Sequence, residues 1–160
     1  MADDVTELAD DYPKVSGSIK TIPALAALIA LAGVADAAYL TVHHYTNVPV
    51  PCSIIEGCET VLTSQYAEIA GVPLAAFGAL AYFLAFSLAL LAAFGNRSMW
   101  RVFGVQVVLM AIFTGWLLYL QGFVIGAFCQ FCLISAGITF TLLIVYLMSR
   151  AESNPSKNTN

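Results

Sequence analysis

Residues 102–149 read VFGVQVVLMAIFTGWLLYLQGFVIGAFCQFCLISAGITFTLLIVYLMS, 48 consecutive positions without Asp, Glu, Lys or Arg. As one straight helix this run would extend about 72 Å at 1.5 Å per residue. The hydrocarbon core of a bilayer is only about 30 Å thick, so the chain has to reverse once. Gly122 and Gly126 lie near the middle, where the reversal is needed. Two spanning helices result, over roughly 102–122 and 129–148.

The remaining sequence holds two more such segments. Residues 22–42 are apolar except for Asp36, and 72–94 carry no charge. Each is about the 20 residues that a spanning helix requires. The whole chain is 60% hydrophobic and 10% charged, against about 25% charged in an ordinary globular domain. The expected fold is therefore an all-α membrane protein, a bundle of four transmembrane helices over residues 21–149. Tails at 1–20 and 150–160 flank it. The first is acidic (Asp3, Asp4, Glu7, Asp10, Asp11) and holds half of the acids behind the net charge of −4. Both tails are expected to be disordered. No basic or aromatic array suited to nucleic acid is present. Ala35-Asp36-Ala37 resembles a signal-peptide cleavage site, but a long acidic tail and a long apolar run fit such a peptide poorly.

Charge also sets the expected orientation. The six basic residues are Lys14, Lys20, Arg97, Arg101, Arg150 and Lys157. With four spans they all fall on one side, and the loops at 43–71 and 122–128 have none. Short loops rich in Lys and Arg stay cytoplasmic, so both termini and the 95–101 loop are expected there. Trp100 beside Arg101 suits an interfacial anchor. The four cysteines, Cys52, Cys58, Cys129 and Cys132, then share the opposite, outer face. That compartment is oxidising in bacteria. Four unrelated buried cysteines would not avoid the cytoplasmic half of every helix.

Cys129-Gln130-Phe131-Cys132 is a C-x-x-C motif opening a helix. Positions i and i+3 share a face, and the helix terminus favours a thiolate. Cys52 and Cys58 flank five residues in a loop entered through Pro49 and Pro51. Four cysteines permit three pairings. Proximity favours the two local ones, and a mobile loop would permit transient bridges between the pairs by thiol–disulfide exchange. A zinc site is the competing reading, but structural zinc knuckles have gaps of about two to four residues. Disulfide staples in a purely structural bundle are a third. Residues 59–70 (ETVLTSQYAEIA) place Val61, Leu62, Tyr66 and Ile69 at helical spacing, the pattern of a short amphipathic interfacial helix in the first outer loop.

Taken together, PVPCSIIEGCETVLTS at 49–64, DAAYLT at 36–41, GVPL at 71–74 and the Cys129–Cys132 motif resemble the prokaryotic branch of the vitamin K epoxide reductase family. The resemblance covers about residues 22–148. It implies a four-helix bundle around a quinone of the ubiquinone or menaquinone type, with Cys132 as the sulfur that reacts with it. Cys129 would receive electrons from Cys58, and Cys52 would exchange with an external thiol protein. Ser64 would hold the loop or the quinone. The implied role is reoxidation of a thioredoxin-fold protein outside the cytoplasmic membrane, in support of disulfide formation in exported proteins. Because the sequence stops at Asn160 without such a domain, that partner is expected to be separate. Vertebrate members carry a tyrosine where this chain has Ala136, and an asparagine near the start of helix 2 where it reads Pro73-Leu74-Ala75. Both departures favour quinone reduction over epoxide reduction.

Further candidates stand beside the cysteines. Asp36 lies inside a spanning segment, where a charge is costly and commonly functional. It is expected to accept protons from thiols or bond a quinone, unless it is simply tied to another helix. Phe77, Tyr82, Phe83, Trp116, Tyr119, Phe123 and Phe128 are candidate aromatic contacts of a quinone, and Phe128 and Phe131, which flank the motif, are favoured by position alone. His43 and His44 read as ordinary interfacial histidines, with no metal-ligand spacing around them.

Overall fold

The computed structural model describes residues 20–52 and 57–152. The expectations for the two tails and for the middle of the Cys52–Cys58 loop fall wholly or largely outside those residues. Four helices are long and apolar enough to cross a membrane. They are α1 (Thr21–Thr46), α3 (Leu74–Ala93), α4 (Arg97–Tyr119) and α5 (Gln130–Glu152). A π-helical turn, Leu120–Ile125, continues α4, and Gly126 in the left-handed conformation (φ 69°) completes the reversal. Between α1 and α3 lie a five-residue helix, α2 (Cys58–Leu62), and a two-stranded ribbon, β1 (Glu68–Ile69) and β2 (Val72–Pro73).

The helices close a ring in which α1 packs on α3 and α5, α3 on α4, and α4 on α5. Lipid is as apolar as leucine, so the bundle is held by close approach of small residues rather than by withdrawal of large ones from water. Ala26, Ala27, Ala30 and Ala37 of α1 meet Tyr82, Ala85 and Ala89 of α3 in one buried core. Phe103 and Val107 of α4 and Leu142 and Tyr146 of α5 complete it. Large aliphatics such as Leu28, Ile112 and Met148 face outward. A helix satisfies its own backbone groups, as hydrocarbon demands.

Two aromatic rings depend on glycine. A Cβ on Gly33 would fall within the Tyr82 ring, and one on Gly104 within the Tyr146 ring, whereas Gly115 faces open space. Gly33→Leu is therefore expected to destabilise the bundle by about 1–3 kcal/mol, the usual cost of overpacking. Gly115→Leu should leave it unchanged. Thermal unfolding in detergent checks both, and equal midpoints for the two variants would contradict the packing described.

The two ends of the bundle differ. At one, Asn96 caps α4 by accepting from the N–H groups of Ser98 (3.1 Å) and Met99 (3.4 Å). Trp100 Nε1 donates to Ser149 Oγ at 3.1 Å. The Lys20 N–H donates to the Ala93 carbonyl at 3.2 Å. Lys20, Arg97, Arg101 and Arg150 all sit at this end by their places on the helices. The cysteines sit at the other.

Two segments at the cysteine end depart from expectation. α1 runs on to Thr46, carrying His43 and His44 into its last turn before Asn47 ends it in the left-handed conformation. The interfacial helix is only Cys58–Leu62, and Tyr66 and Ile69 are not on it. Ser64 closes it, its N–H and Oγ both donating to the Val61 carbonyl. Ala70 (φ 52°) and Gly71 (φ 79°) then form a two-residue hairpin turn pairing Ile69 with Val72. Two successive positive φ angles match the twist of such a hairpin and break any helix.

Candidate functional site

Cys52 and Cys58 form a disulfide with their Cα atoms 6.3 Å apart. Cys52 is half-buried, whereas Cys58 at the start of α2 is 1% exposed. Gly57 explains that burial. A Cβ there would strike the backbone nitrogen and oxygen of Phe128. Only glycine lets the loop lie directly on the segment that leads into the C-x-x-C motif. Cys58, Val61 and Cys129 thus share one buried cluster, with Cys52 and Cys132 packed against it.

Cys129 is 0% exposed and stands immediately before α5. Its carbonyl accepts from the Leu133 N–H at 3.0 Å, the first intrahelical bond. Its own N–H donates to Gln121 Oε1 at 3.0 Å. Gln121 is buried in the π-helical turn, and its backbone carbonyl holds the Ala127 N–H at 3.1 Å. Such turns are rare and cluster at functional sites. Here the turn swings an amide inward to fix the cysteine.

The Cys129 thiol occupies the N-cap position of α5, and its titration is pulled below that of an ordinary cysteine. The largest cause is a hydrogen bond from the Cys132 side chain, and the N–H groups of Cys132 and Phe131 add to it. Burial opposes the shift, and so, least of all, does the charge of Asp36. A thiolate is the nucleophile in exchange, so alkylation of Cys129 should quicken with rising pH and level off at a lower pH than for an ordinary cysteine. Cys132→Ala removes the leading stabilising contact and should move that rise upward, toward an ordinary cysteine. Alkylation of the reduced protein across pH, read by mass spectrometry, checks this. An unmoved profile would show that Cys132 does not hold the thiolate.

Cys132 and Cys129 do not face the same surroundings. Cys132 lies on the wall of a cavity of about 430 Å³ lined by residues of all four long helices and of the 61–73 segment. Cys52, Cys58 and Cys129 are not on that wall. The sulfurs therefore stand in sequence, with the loop disulfide outermost, Cys129 against Cys58, and Cys132 facing the cavity. Cys129 and Cys132 are free thiols in this state.

Residues 24–147 match the model of the Vitamin K epoxide reductase family. The chain belongs to that family. It is also similar to the Thiol-disulfide oxidoreductase LTO1 of Arabidopsis thaliana, at 30% identity over 119 residues. That alignment takes in 69% of this chain and 32% of the plant protein, so the chain spans about a third of that relative.

Within this family member the expected quinone contacts divide. Asp36 and Ser64 are on the cavity wall with Cys132. Phe128 and Phe131 are not. One step along a helix turns about 100°, so Phe131 points away from the Cys132 face and lies 5.3 Å from the Tyr39 ring. Phe128 precedes the helix, approaches Gly122 and is 43% exposed. The aromatics that do line the cavity include Phe77 and Tyr82. The hydroxyl of Tyr82 is placed by α5. It lies 2.7 Å from the Ser135 carbonyl, 2.9 Å from Ser135 Oγ and 2.7 Å from Thr139 Oγ1.

Gln121, which holds the Cys129 N–H, is the residue of this site that the sequence reading does not single out. The signal was available, since it is an amide in a charge-free run at the very point of reversal, where backbone N–H groups need acceptors. The histidines also do more than face the interface. His43 Nδ1 is 3.0 Å from the Val48 carbonyl, and His44 Nε2 is 3.1 Å from Glu68 Oε1, joining α1 to the hairpin.

The cavity suits a quinone. Its walls are mainly apolar, its volume falls in the range of small-molecule sites, and it presents a few polar groups. One of these is a buried carboxyl oxygen of Asp36 that has no hydrogen-bond partner in the protein. A flat apolar ring suits those walls, and its carbonyl oxygens would accept a hydrogen bond from Asp36 when that carboxyl is protonated.

Proposed function

We propose that this protein is a thiol:quinone oxidoreductase that reoxidises a thioredoxin-fold thiol partner, supporting disulfide formation in exported proteins. The observation that carries this reading is the ordered placement of the sulfurs. Cys132 alone faces the cavity, and Cys129 connects it to the loop disulfide.

The steps balance as thiol–disulfide exchange. A partner thiolate attacks Cys52, the more accessible loop sulfur, and Cys58 leaves. The partner's second thiol then resolves the mixed disulfide, so the partner is oxidised and the loop holds two thiols. Cys58 attacks Cys129 of the Cys129–Cys132 disulfide and releases Cys132. Cys52 attacks Cys58, remaking the loop disulfide and releasing Cys129. Two electrons and two protons have now moved to the helix pair. A bound quinone supplies the terminal two-electron, two-proton acceptor. Asp36, Ser64, Phe77 and Tyr82 would hold it, while Cys132 presents its sulfur. Ala136, Leu74 and Ala75 line the same cavity without a polar side chain, which favours a quinone over an epoxide as the acceptor.

The basic end of the bundle is assigned to the cytoplasm and the cysteine end to the outer face of the plasma membrane. Mixing a reduced thioredoxin-fold protein with this chain and ubiquinone or menaquinone, and following quinone absorbance, tests the activity. Consumption of one quinone per dithiol is expected, and no consumption above the protein-free rate would refute it. Labelling intact cells with a membrane-impermeant thiol reagent after reduction tests the orientation. Cys52 should react from outside, and its protection there would reverse the assignment.

A further inference from the structure

Asp36 lies ten residues before the end of α1 at Thr46, about 15 Å along the axis at 1.5 Å per residue. A polar side chain at such depth is costly unless it is satisfied. Yet Oδ2 is, among the described residues, the buried side-chain oxygen or nitrogen without a hydrogen-bond partner. Its carboxyl is on the cavity wall that Cys132 shares.

The other titratable side chains on that wall are committed or peripheral. His44 is paired with Glu68. The Tyr82 hydroxyl is held by Ser135 and Thr139. Tyr66 is exposed on the capping segment. The unpaired carboxyl of Asp36 and Cys132 are left on the wall of one cavity. A carboxylate and a thiolate that disfavour each other compete for a proton.

We propose that Asp36 is the proton-exchange group of this cavity: its carboxyl takes the proton that the Cys132 thiol gives up as the Cys129–Cys132 disulfide forms, then passes it to the reduced acceptor. The proposal rests on the thiol:quinone reading above. In forming the S–S bond the pair loses two electrons, which go to a quinone. One of the two protons that the quinol needs comes from Cys132 by way of Asp36. The other comes from water and replaces the one that Cys129 released as a thiolate. Asp36 is protonated once and deprotonated once per cycle and ends unchanged.

Two readouts on the full-length protein test this. The first needs no quinone and is the infrared difference spectrum between the disulfide and dithiol forms of the helix pair. A change in the carboxyl C=O stretch is expected, absent in Asp36→Asn and retained, shifted, in Asp36→Glu. No such change, or the same change in Asp36→Asn, overturns the proposal. The second is the rate at which the prereduced protein reduces ubiquinone. Asp36→Asn should lower it about a hundredfold, as loss of a proton-transfer group does, while opening of Cys52–Cys58 by dithiothreitol keeps its wild-type rate. An unaltered quinone rate in Asp36→Asn overturns the proposal, as does equal slowing of both reactions in Asp36→Asn and Asp36→Glu. If the wild-type protein reduces no quinone, the functional reading fails by itself and the infrared change alone decides the role of Asp36.

Discussion

Cys132→Ala should reduce added quinone at least about a thousandfold more slowly than the wild-type protein, since removing a reacting nucleophile abolishes the step it performs. No other sulfur can take its place. Cys129 is buried against Cys58 and off the cavity wall, and the loop pair lies farther out. The loop disulfide should nevertheless still open with external thiols at its usual rate, because Cys52 and Cys58 keep their environment. That contrast separates loss of chemistry from loss of fold, and stopped-flow quinone absorbance beside alkylation of the loop cysteines measures both. Quinone reduction within tenfold of wild type would mean that electrons leave the protein elsewhere.

Cys52→Ala is the second large effect, and it should arrest the cycle rather than merely slow it. Cys58 remains able to attack Cys129, so a Cys58–Cys129 disulfide can form. Without Cys52 no thiol can carry the exchange forward by freeing Cys129, and only return attack by Cys132 can undo the cross-link. The expected outcome is a cross-link joining α2 to the start of α5, accumulating in most of the protein, with partner oxidation lost. Proteolysis under non-reducing conditions and mass spectrometry identify the linked peptides. The geometry behind this is the contact of Gly57 with the Phe128 backbone, which seats Cys58 beside Cys129. Gly57→Ala should therefore weaken the trapped cross-link in the same background. Accumulation of Cys58–Cys132 instead would contradict the order assigned to the sulfurs.

How much of this was legible in the sequence depends on whether a feature is one-dimensional. The spanning helices were legible because hydrocarbon excludes charge, and a 48-residue charge-free run cannot lie in one 30 Å layer without turning. The grouping of the four cysteines followed from counting spans. Their order came only from the family resemblance, because it rests on the close approach of Gly57 to the Phe128 backbone, which no local pattern announces. The interfacial helix was drawn too long for a related reason. Tyr66 and Ile69 happen to fall at helical spacing, but Ser64 ends the helix and the Ala70–Gly71 turn imposes a hairpin. The cavity is a tertiary object, so nearness in sequence misleads. Phe131 adjoins Cys132 yet points elsewhere, while Tyr82, fifty residues away, reaches the wall. Asp36 could be singled out early because a lone acid in an apolar span is conspicuous; that its oxygen is unpaired could not.

The charge arrangement gives the bundle its polarity. Capping and interfacial contacts made by Asn96, Trp100 and Arg150 gather at one end. The cavity mouth, the hairpin and the sulfurs gather at the other. On the proposed relay, electrons would enter at the loop disulfide and leave at the cavity, both at this one end of the bundle.

The account turns on a directional transfer between two sulfur pairs, and its most direct test is a single turnover followed in time. Wild-type protein carrying quinone is mixed with a substoichiometric dithiol, quenched with acid at intervals, and alkylated so that each pair's redox state is read by mass spectrometry. The loop pair should become reduced first, the helix pair second, and quinone absorbance should fall only with reoxidation of the helix pair. Quinone reduced while Cys129–Cys132 stays oxidised throughout would contradict the relay.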